Sequence, residues 1–331
     1  MSITMEELAK LANVSQGAVS LVLNGKAKGQ ISQKKQDLIL SLAKEYNYRM
    51  NMAAKVLRKQ RQYAVGIVMP RCLNMFYASL VTLLQQKFSE RGYMTLFAFF
   101  YGDDFEKVYN SLYERQVDGI ISWEHSPLLL DGDIPSVVFC NDLNERIDSV
   151  TSSKRFCQCG FDFNAVYVSL FEHLYALGHR KIGFVGNTHE SRCALLDRFL
   201  RNKGIYDGSA YFFHCKDDLN GNISLFEKIL TAPERPSAIV TTNDETARQL
   251  ISVGSYLGIQ FPRDISIAGF MNLPCSQAMY PALTTFDSRN GDLADSMVEM
   301  LLSMIEKPDI PVEDTFIQPE LILRTSCGQP A

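Results

Sequence analysis

Cys157-Gln158-Cys159 holds the closest pair of thiols in the chain, and thiols that near could ligate a metal or exchange as a disulfide. The spacing is C-x-C, not the C-x-x-C of zinc and redox sites, and within FCQCGFD it reads as alternate positions on a strand. The other cysteines (72, 140, 193, 215, 275 and 327) are scattered, without the dense spacing of a secreted scaffold, so reduced thiols and no metal are expected. Among five histidines, His179 stands in LGHRK at a helix-to-strand junction, better suited to packing or capping than to catalysis. Carboxylates are plentiful, but no spacing rule pairs them for acid–base work. Neither G-x-G-x-x-G nor G-x-x-x-x-G-K-[ST] opens a helix, and G-x-S-x-G is absent. Phosphate cradle and nucleophile motif are both missing, so no cofactor is expected.

Charge supplies a different chemistry. Residues 1–62 hold 11 Lys/Arg against 4 Asp/Glu, a net +7 within a chain of net −4. A basic head on an acidic body suggests a polyanion-binding module joined to something that binds otherwise. No run approaches the roughly 20 apolar residues of a membrane span, and MSITMEELAK lacks an apolar signal core. A cytoplasmic location with no membrane partner is therefore expected.

The elements that must position these groups begin at Thr4, which with Glu7 fits a capping box and opens a helix with Met5, Leu8, Ala9 and Ala12 on one face. Asn13 tolerates the left-handed conformation a sharp turn needs, and Ser15 is a natural cap for a second helix placing Val19, Val22 and Leu23 inward. A third helix from about Ser32 uses Leu38, Ile39, Leu42 and Tyr46. Three short helices with a tight first turn describe a helix-turn-helix unit, although any three-helix bundle fits that geometry.

ITMEELAKLANVSQGAVSLVLNGK, followed by LAKEYNYRMNMAAKVLRKQ, resembles the DNA-binding head and hinge of the lactose repressor/galactose repressor (LacI/GalR) family of bacterial transcription regulators. The resemblance implies that the second helix enters the major groove with Gln16, Gly17 and Leu21 at base edges, and that Thr4, Ser15, Ser20 and Asn24 face phosphates. Many members carry Arg where this chain has Leu21; leucine can touch only an apolar group such as a thymine methyl. The segment Asn51 to Arg58 matches the family's hinge helix. Leu57 is there implied as a minor-groove wedge, Ala54 as a point of close approach, and Asn51, Lys55 and Arg58 as DNA contacts.

From Tyr63 the periodicity changes. Apolar runs AVGIVM, YMTLFAFF, DGIISW and PSVVFCND alternate with helical stretches, and the alternation restarts after about residue 160 with KIGFVG, PSAIVTTND and ISIAGF. Such a pattern predicts an α/β fold with two doubly wound parallel-sheet subdomains and a cleft at the carboxyl ends of their strands. VDGIIS, LGHRKIGFVG, SAIVTTNDETA, GIQFPRDISIAGF and YPALTTFD resemble the family's effector-binding core, itself similar to periplasmic sugar-binding proteins. The resemblance implies a division into 1–48 (helix-turn-helix domain), 49–62 (hinge), 63–160 with 288–325, and 161–287. By position it offers Phe76, Tyr77, Trp123, Glu124, Asp162, Leu195, Asn243, Asp244 and Met271 as cleft residues.

Two departures bear on the ligand. Leu195 stands where many members have a sugar-gripping Arg, and Met271 where an acid is usual; Arg192 and Arg198, three residues to either side of Leu195, are expected to face elsewhere. Losing both charged groups argues against tight binding of a simple hexose. The expected function is a dimeric, ligand-responsive repressor at a palindromic double-stranded DNA operator, with a small-molecule effector, sugar-like or less polar. The dimer is expected from the operator's symmetry, and no leucine heptad after residue 307 suggests a tetramer. Alternatives are a solute-binding or carbohydrate-acting protein with an acquired head, or a regulator that has lost small-molecule control.

Overall fold

The structure, a computed structural model, describes residues 3–23, 27–48, 61–71, 75–141, 143, 146–147, 155–186, 190–205, 212–215 and 222–330. Asn24 and the hinge positions Asn51, Ala54, Lys55, Leu57 and Arg58 lie outside them. Two units divide the chain, Met1–Gln62 and Tyr63–Ala331.

In the first unit, Thr4 Oγ1 accepts from the Glu7 amide at 3.2 Å, and the Thr4 amide donates to Glu7 Oε2 at 2.8 Å, opening the helix Met5–Leu11. Asn13 (φ 50°) then turns the chain, and the Val14 amide donates back to the Ala9 carbonyl at 3.0 Å. Ser15 Oγ accepts from the Ala18 amide at 3.2 Å and starts the helix Gln16–Leu23. The third helix, Gln33–Glu45, ends in the same way, with Asn47 at φ 47° and the Tyr48 amide donating to Ala43 at 2.8 Å. Leu8, Ala9, Ala12, Val19, Val22, Ile39 and Ala43 form the core. Leu38 and Tyr46, expected inside, are 43% and 42% exposed, because the third helix buries a stripe centred on Ile39 and Ala43. Leu23 is only half-buried.

The second unit holds two parallel sheets. The larger contains β1 (Ala64–Pro70), β2 (Met94–Phe100), β3 (Gly119–Ser122), β4 (Ser136–Cys140), β5 (Phe156–Phe161) and β11 (Thr315–Ile317), in the order β11-β5-β4-β3-β1-β2. The smaller joins β6 (Ile182–Gly186), β7 (Phe212–His214), β8 (Ala238–Thr241) and β9 (Ser266–Ala268) in the order β7-β6-β8-β9. Interior strands β1, β3, β4 and β5 are near-continuous apolar runs because helices cover both faces. Cys157 and Cys159 alternate on β5 as expected, both buried, and burial pushes both thiols up, that of Cys159 to about 12, so neither is a reactive thiolate.

The halves exchange chain more than once. After β10 (Thr285–Asp287) the helix Asn290–Glu306 packs on the larger sheet and on the helix Met75–Glu90. The chain then adds β11 to β5 and returns as β12 (Glu320–Ile322), antiparallel to β10. Ser326 and Gly328 bond the smaller sheet through Ile267 (amide to Ser326 carbonyl, 2.9 Å) and His179. Residues from Glu320 onward thus side with the second half, where the sequence placed everything to 325 with the first.

Between the sheets runs a seam of aromatic rings. Phe76 meets Phe161 (centroids 5.9 Å apart), Phe161 meets Phe163 (5.3 Å), and Phe163 meets Phe270 edge-on (5.0 Å). Burying each ring contributes about 1.5–3 kcal/mol.

Candidate functional site

In the head, Gln16 and Gly17 are exposed at the start of their helix, free to meet another surface. Leu21 is half-buried and leans on the helical core, so only part of its side chain is available. Ser20 is half-buried. The Thr4 hydroxyl already donates to Glu7 Oε2 at 2.8 Å, which leaves it a poor phosphate donor, whereas the Ser15 hydroxyl proton is uncommitted by its capping bond. The same capping bonds hold the Glu7 carboxyl below its usual range.

In the body, a cavity of about 290 Å³ is lined by Met75, Phe76 and Ser79 from one half and Met271, Asn272, Leu273 and Pro274 from the other. Asp287, Ser288 and Asn290, where the chain crosses over, complete it. Of the expected cleft residues it gathers Phe76, which is also core, and Met271. Tyr77 and Trp123 pack edge-on to each other (5.9 Å) beside Phe76. Glu124 is half-buried, its amide taken by Ser122 Oγ at 2.9 Å.

Four of the expected cleft residues take structural roles in the fold. Leu195 is 4% exposed in the core. Asp162 Oδ1 accepts from the Asn164 amide and side chain, both at 3.0 Å, and turns the chain into the helix Asn164–Ala176. Asn243 caps the helix Asp244–Tyr256 by accepting from the Thr246 amide at 2.8 Å. Asp244 is fully buried, accepting from the Leu273 amide (2.8 Å), Thr285 Oγ1 (2.6 Å) and Ser276 Oγ. Burial raises its pKa against the opposing pull of those hydrogen bonds. Gly269 is required here, since a Cβ on it would lie 2.2 Å from Asp244 Oδ1.

That buried carboxylate fixes the loop that presents Met271 (φ 105°) and Asn272 (φ 46°), two consecutive left-handed residues at the cavity wall. Asn272 is clamped further, donating to Asp287 Oδ2 at 3.1 Å and accepting from Arg324 at 2.6 Å.

Sequence reasoning missed Arg192. It is 5% exposed, with its guanidinium carbon 4.5 Å from the Phe163 ring centroid and 5.6 Å from that of Phe270. Arg192, one helical turn before Leu195, is buried with it, whereas Arg198, one turn after, is exposed. Among the described residues the buried Nε of Arg192 has no hydrogen-bond partner, and neither do Trp123 Nε1 and Thr242 Oγ1. Trp123 and Thr242 follow β3 and β8 directly, and Arg192 lies in the first turn of the helix after β6. All three stand at the strand ends where ligands bind in open α/β sheets.

A helix-turn-helix head with an exposed second helix, carried on a two-sheet body with a cleft, defines a DNA-binding regulator with a periplasmic-binding-protein-like core. Residues 4–51 match the bacterial regulatory proteins of the lacI family, and residues 171–327 match the periplasmic binding protein-like domain. Along 317 residues the chain is 29% identical to the NTD biosynthesis operon regulator NtdR of Bacillus subtilis, covering 91% of this chain and 92% of that protein. It is 26% identical to catabolite control protein A of Staphylococcus xylosus, covering 94% of each. In fold it matches the Lac repressor dimer bound to operator and the anti-inducer ONPF, with a TM-score of 0.78 at 19% identity over 100% of both chains. A LacI family regulator from Enterococcus faecium with bound ribose gives 0.69 at 20% identity, over 81% of this chain and 100% of that one. The chain carries a lacI family DNA-binding head and a periplasmic-binding-protein-like domain, and is a DNA-binding transcription regulator. No described helix is long and apolar enough to cross a membrane.

Proposed function

We propose that the protein is a ligand-responsive repressor that binds an inverted-repeat operator as a homodimer in the cytoplasm, and that its body is a binding module, not an enzyme. The observation that carries this reading is the helix Gln16–Leu23, capped by Ser15 and presenting Gln16 and Gly17 to solvent on a head of net +7. Gln16 and the exposed part of Leu21 read bases, Ser15, Ser20 and Asn24 meet phosphates, and Asn51, Ala54, Lys55, Leu57 and Arg58 contact the DNA as the hinge. The body's subdomains follow the sheets, 63–161 with 288–319 and 162–287 with 320–330.

Self-association is supported by edge strand β2, where Met94, Phe97 and Phe99 are exposed and Tyr101 follows at 77% exposure. Apolar groups left in water along an edge strand fit a partner better than solvent. The cleft reading is supported by the cavity at Phe76 and Met271 and by the orphaned donors at the strand ends. A ligand preferring one arrangement of the halves would shift that equilibrium and, through it, the DNA affinity. Selection of bound sequences from a random DNA pool by the purified protein tests the reading. An inverted repeat whose enrichment changes with ligand supports it; no enrichment of any sequence overturns it.

A further inference from the structure

Residues 323–330 lie as a strap on β9, the edge strand of the smaller sheet. The Ile267 amide donates to the Ser326 carbonyl at 2.9 Å, Ser326 Oγ to the Ile267 carbonyl at 2.6 Å, and the Gly328 amide to Ser266 Oγ at 2.9 Å. His179, fully buried, latches the strap. Its Nε2 lies 2.8 Å from the Gly328 carbonyl, which can only accept, so Nε2 carries the proton and Nδ1 accepts from Ser237 Oγ at 2.9 Å. A second proton would place a positive charge in a dry site with no acid to meet it. The charges acting on the ring are Arg180 and His173, and both oppose protonation. On the flanking segments Glu234 is paired with Lys181 and Asp264 with Arg263, Ser237 and Ser266 are neutral, and burial keeps the Cys327 thiol neutral. At its other end the strap reaches the cavity. Arg324 donates to the Leu283 carbonyl at 2.7 Å and to Asn272 Oδ1 at 2.6 Å, and Asn272 is part of the wall.

From this we propose that residues 323–330 form an acid-released strap, latched by His179, through which a fall in pH loosens the cavity wall and changes DNA affinity. The inference rests on the regulator reading above and adds a regulatory input to it. Detaching the strap lets water reach the imidazole, so the released form takes up a proton near the ordinary value of about 6.5, and the docked form only at lower pH. The docked form is therefore favoured in full above about pH 7. Below that, the docked-to-released ratio falls by up to about tenfold per pH unit. None of the five histidines stands in residues 1–62, so the head has no imidazole to titrate alongside it. Among the described histidines only His179 is fully buried.

The test is amide exchange of the full-length protein at about pH 7.5 and 5.5, corrected for the intrinsic pH dependence of exchange and referred to β1 in the same sample. Ile267 and Gly328 should lose about tenfold in protection relative to β1 at the lower pH. His179→Gln, which can still donate to the Gly328 carbonyl, should remove most of that loss. Ser326→Ala, which leaves His179 in place, should lower protection at both pH values; unchanged protection would show that the strap does not govern exchange there. Affinity for the selected DNA sequence should change by about fivefold or more between the same pH values, and by less in His179→Gln. Equal protection at the two pH values in the wild type overturns the proposal whatever the variants do, as does a loss that survives His179→Gln. Strap release with unchanged DNA affinity overturns it too. Sequence-specific DNA binding with a pH-insensitive strap sinks this inference alone, whereas absent specific binding at either pH sinks the regulator reading.

Discussion

Asp244 accepts the backbone amide of Leu273 at 2.8 Å from a fully buried position, so the loop that walls the cavity hangs from a carboxylate 29 residues earlier in the chain. The same carboxylate takes the hydroxyls of Thr285 and Ser276. One side chain thereby sets the left-handed pair Met271–Asn272 and the start of β10, where the chain crosses between the halves.

Asp244→Ala leaves those buried donors unsatisfied and should destabilise the body by about 3 kcal/mol or more. For a unit of this size that lowers the unfolding midpoint by roughly 6 °C or more. Asp244→Asn, which can still accept, should lose less. Scanning calorimetry of both variants checks the order; equal losses would show that the hydrogen bonds are not the cause.

His179 gives the body an acid sensitivity. Its Nε2 donates to the Gly328 carbonyl at 2.8 Å and its Nδ1 faces Ser237 Oγ at 2.9 Å. Burial holds its pKa below the ordinary value of about 6.5, outweighing the lift from the Gly328 carbonyl. The unfolded chain therefore takes up the proton more readily, so this contribution to stability is whole above about pH 7 and declines as pH falls through the unfolded value. Unfolding midpoints between about pH 5 and 8 should drop more steeply on acidification for the wild type than for His179→Gln. Parallel curves would remove the assignment.

Removing the first cap should weaken the head. Thr4→Ala removes the Oγ1 half of the box, leaving the residue-4 amide to Glu7, and should cost about 1 kcal/mol of head stability. Amide exchange in residues 5–11 would report it as faster opening; unchanged protection would show the box to be incidental.

Leu21→Arg should move base preference toward G·C at one position of each half-site, since arginine pairs with guanine O6 and N7. Selection from a random pool with both proteins checks this. Identical preferences would place Leu21 outside the groove, serving only the helical core on which it leans.

Local rules made much of the architecture legible. Thr4 with Glu7, Asn13 at its left-handed turn, and the buried runs of β1 and β4 depend on neighbours a few residues away. What sequence reading missed depends on distance or angle. The hydrogen bonds of Asp244 come from Ser276 and Thr285, 32 and 41 residues on, which no local pattern announces. Arg192 was misplaced although the helical repeat could have found it, because Leu195 at the next turn already pointed inward. Asn272, Asp287, Ser288 and Asn290 meet at the cavity only because the chain crosses between the sheets there.

The reading of an inverted repeat in DNA by a basic, capped helix-turn-helix head makes a quantitative demand. Its most direct test is the affinity of the full-length protein for its selected sequence, titrated against salt, with the stoichiometry read in the same cell. Two chains per duplex and a log–log salt slope on the order of −6 or steeper are expected, from many phosphate contacts in head and hinge. A flat salt response, or saturation at one chain on a single half-site, would contradict it.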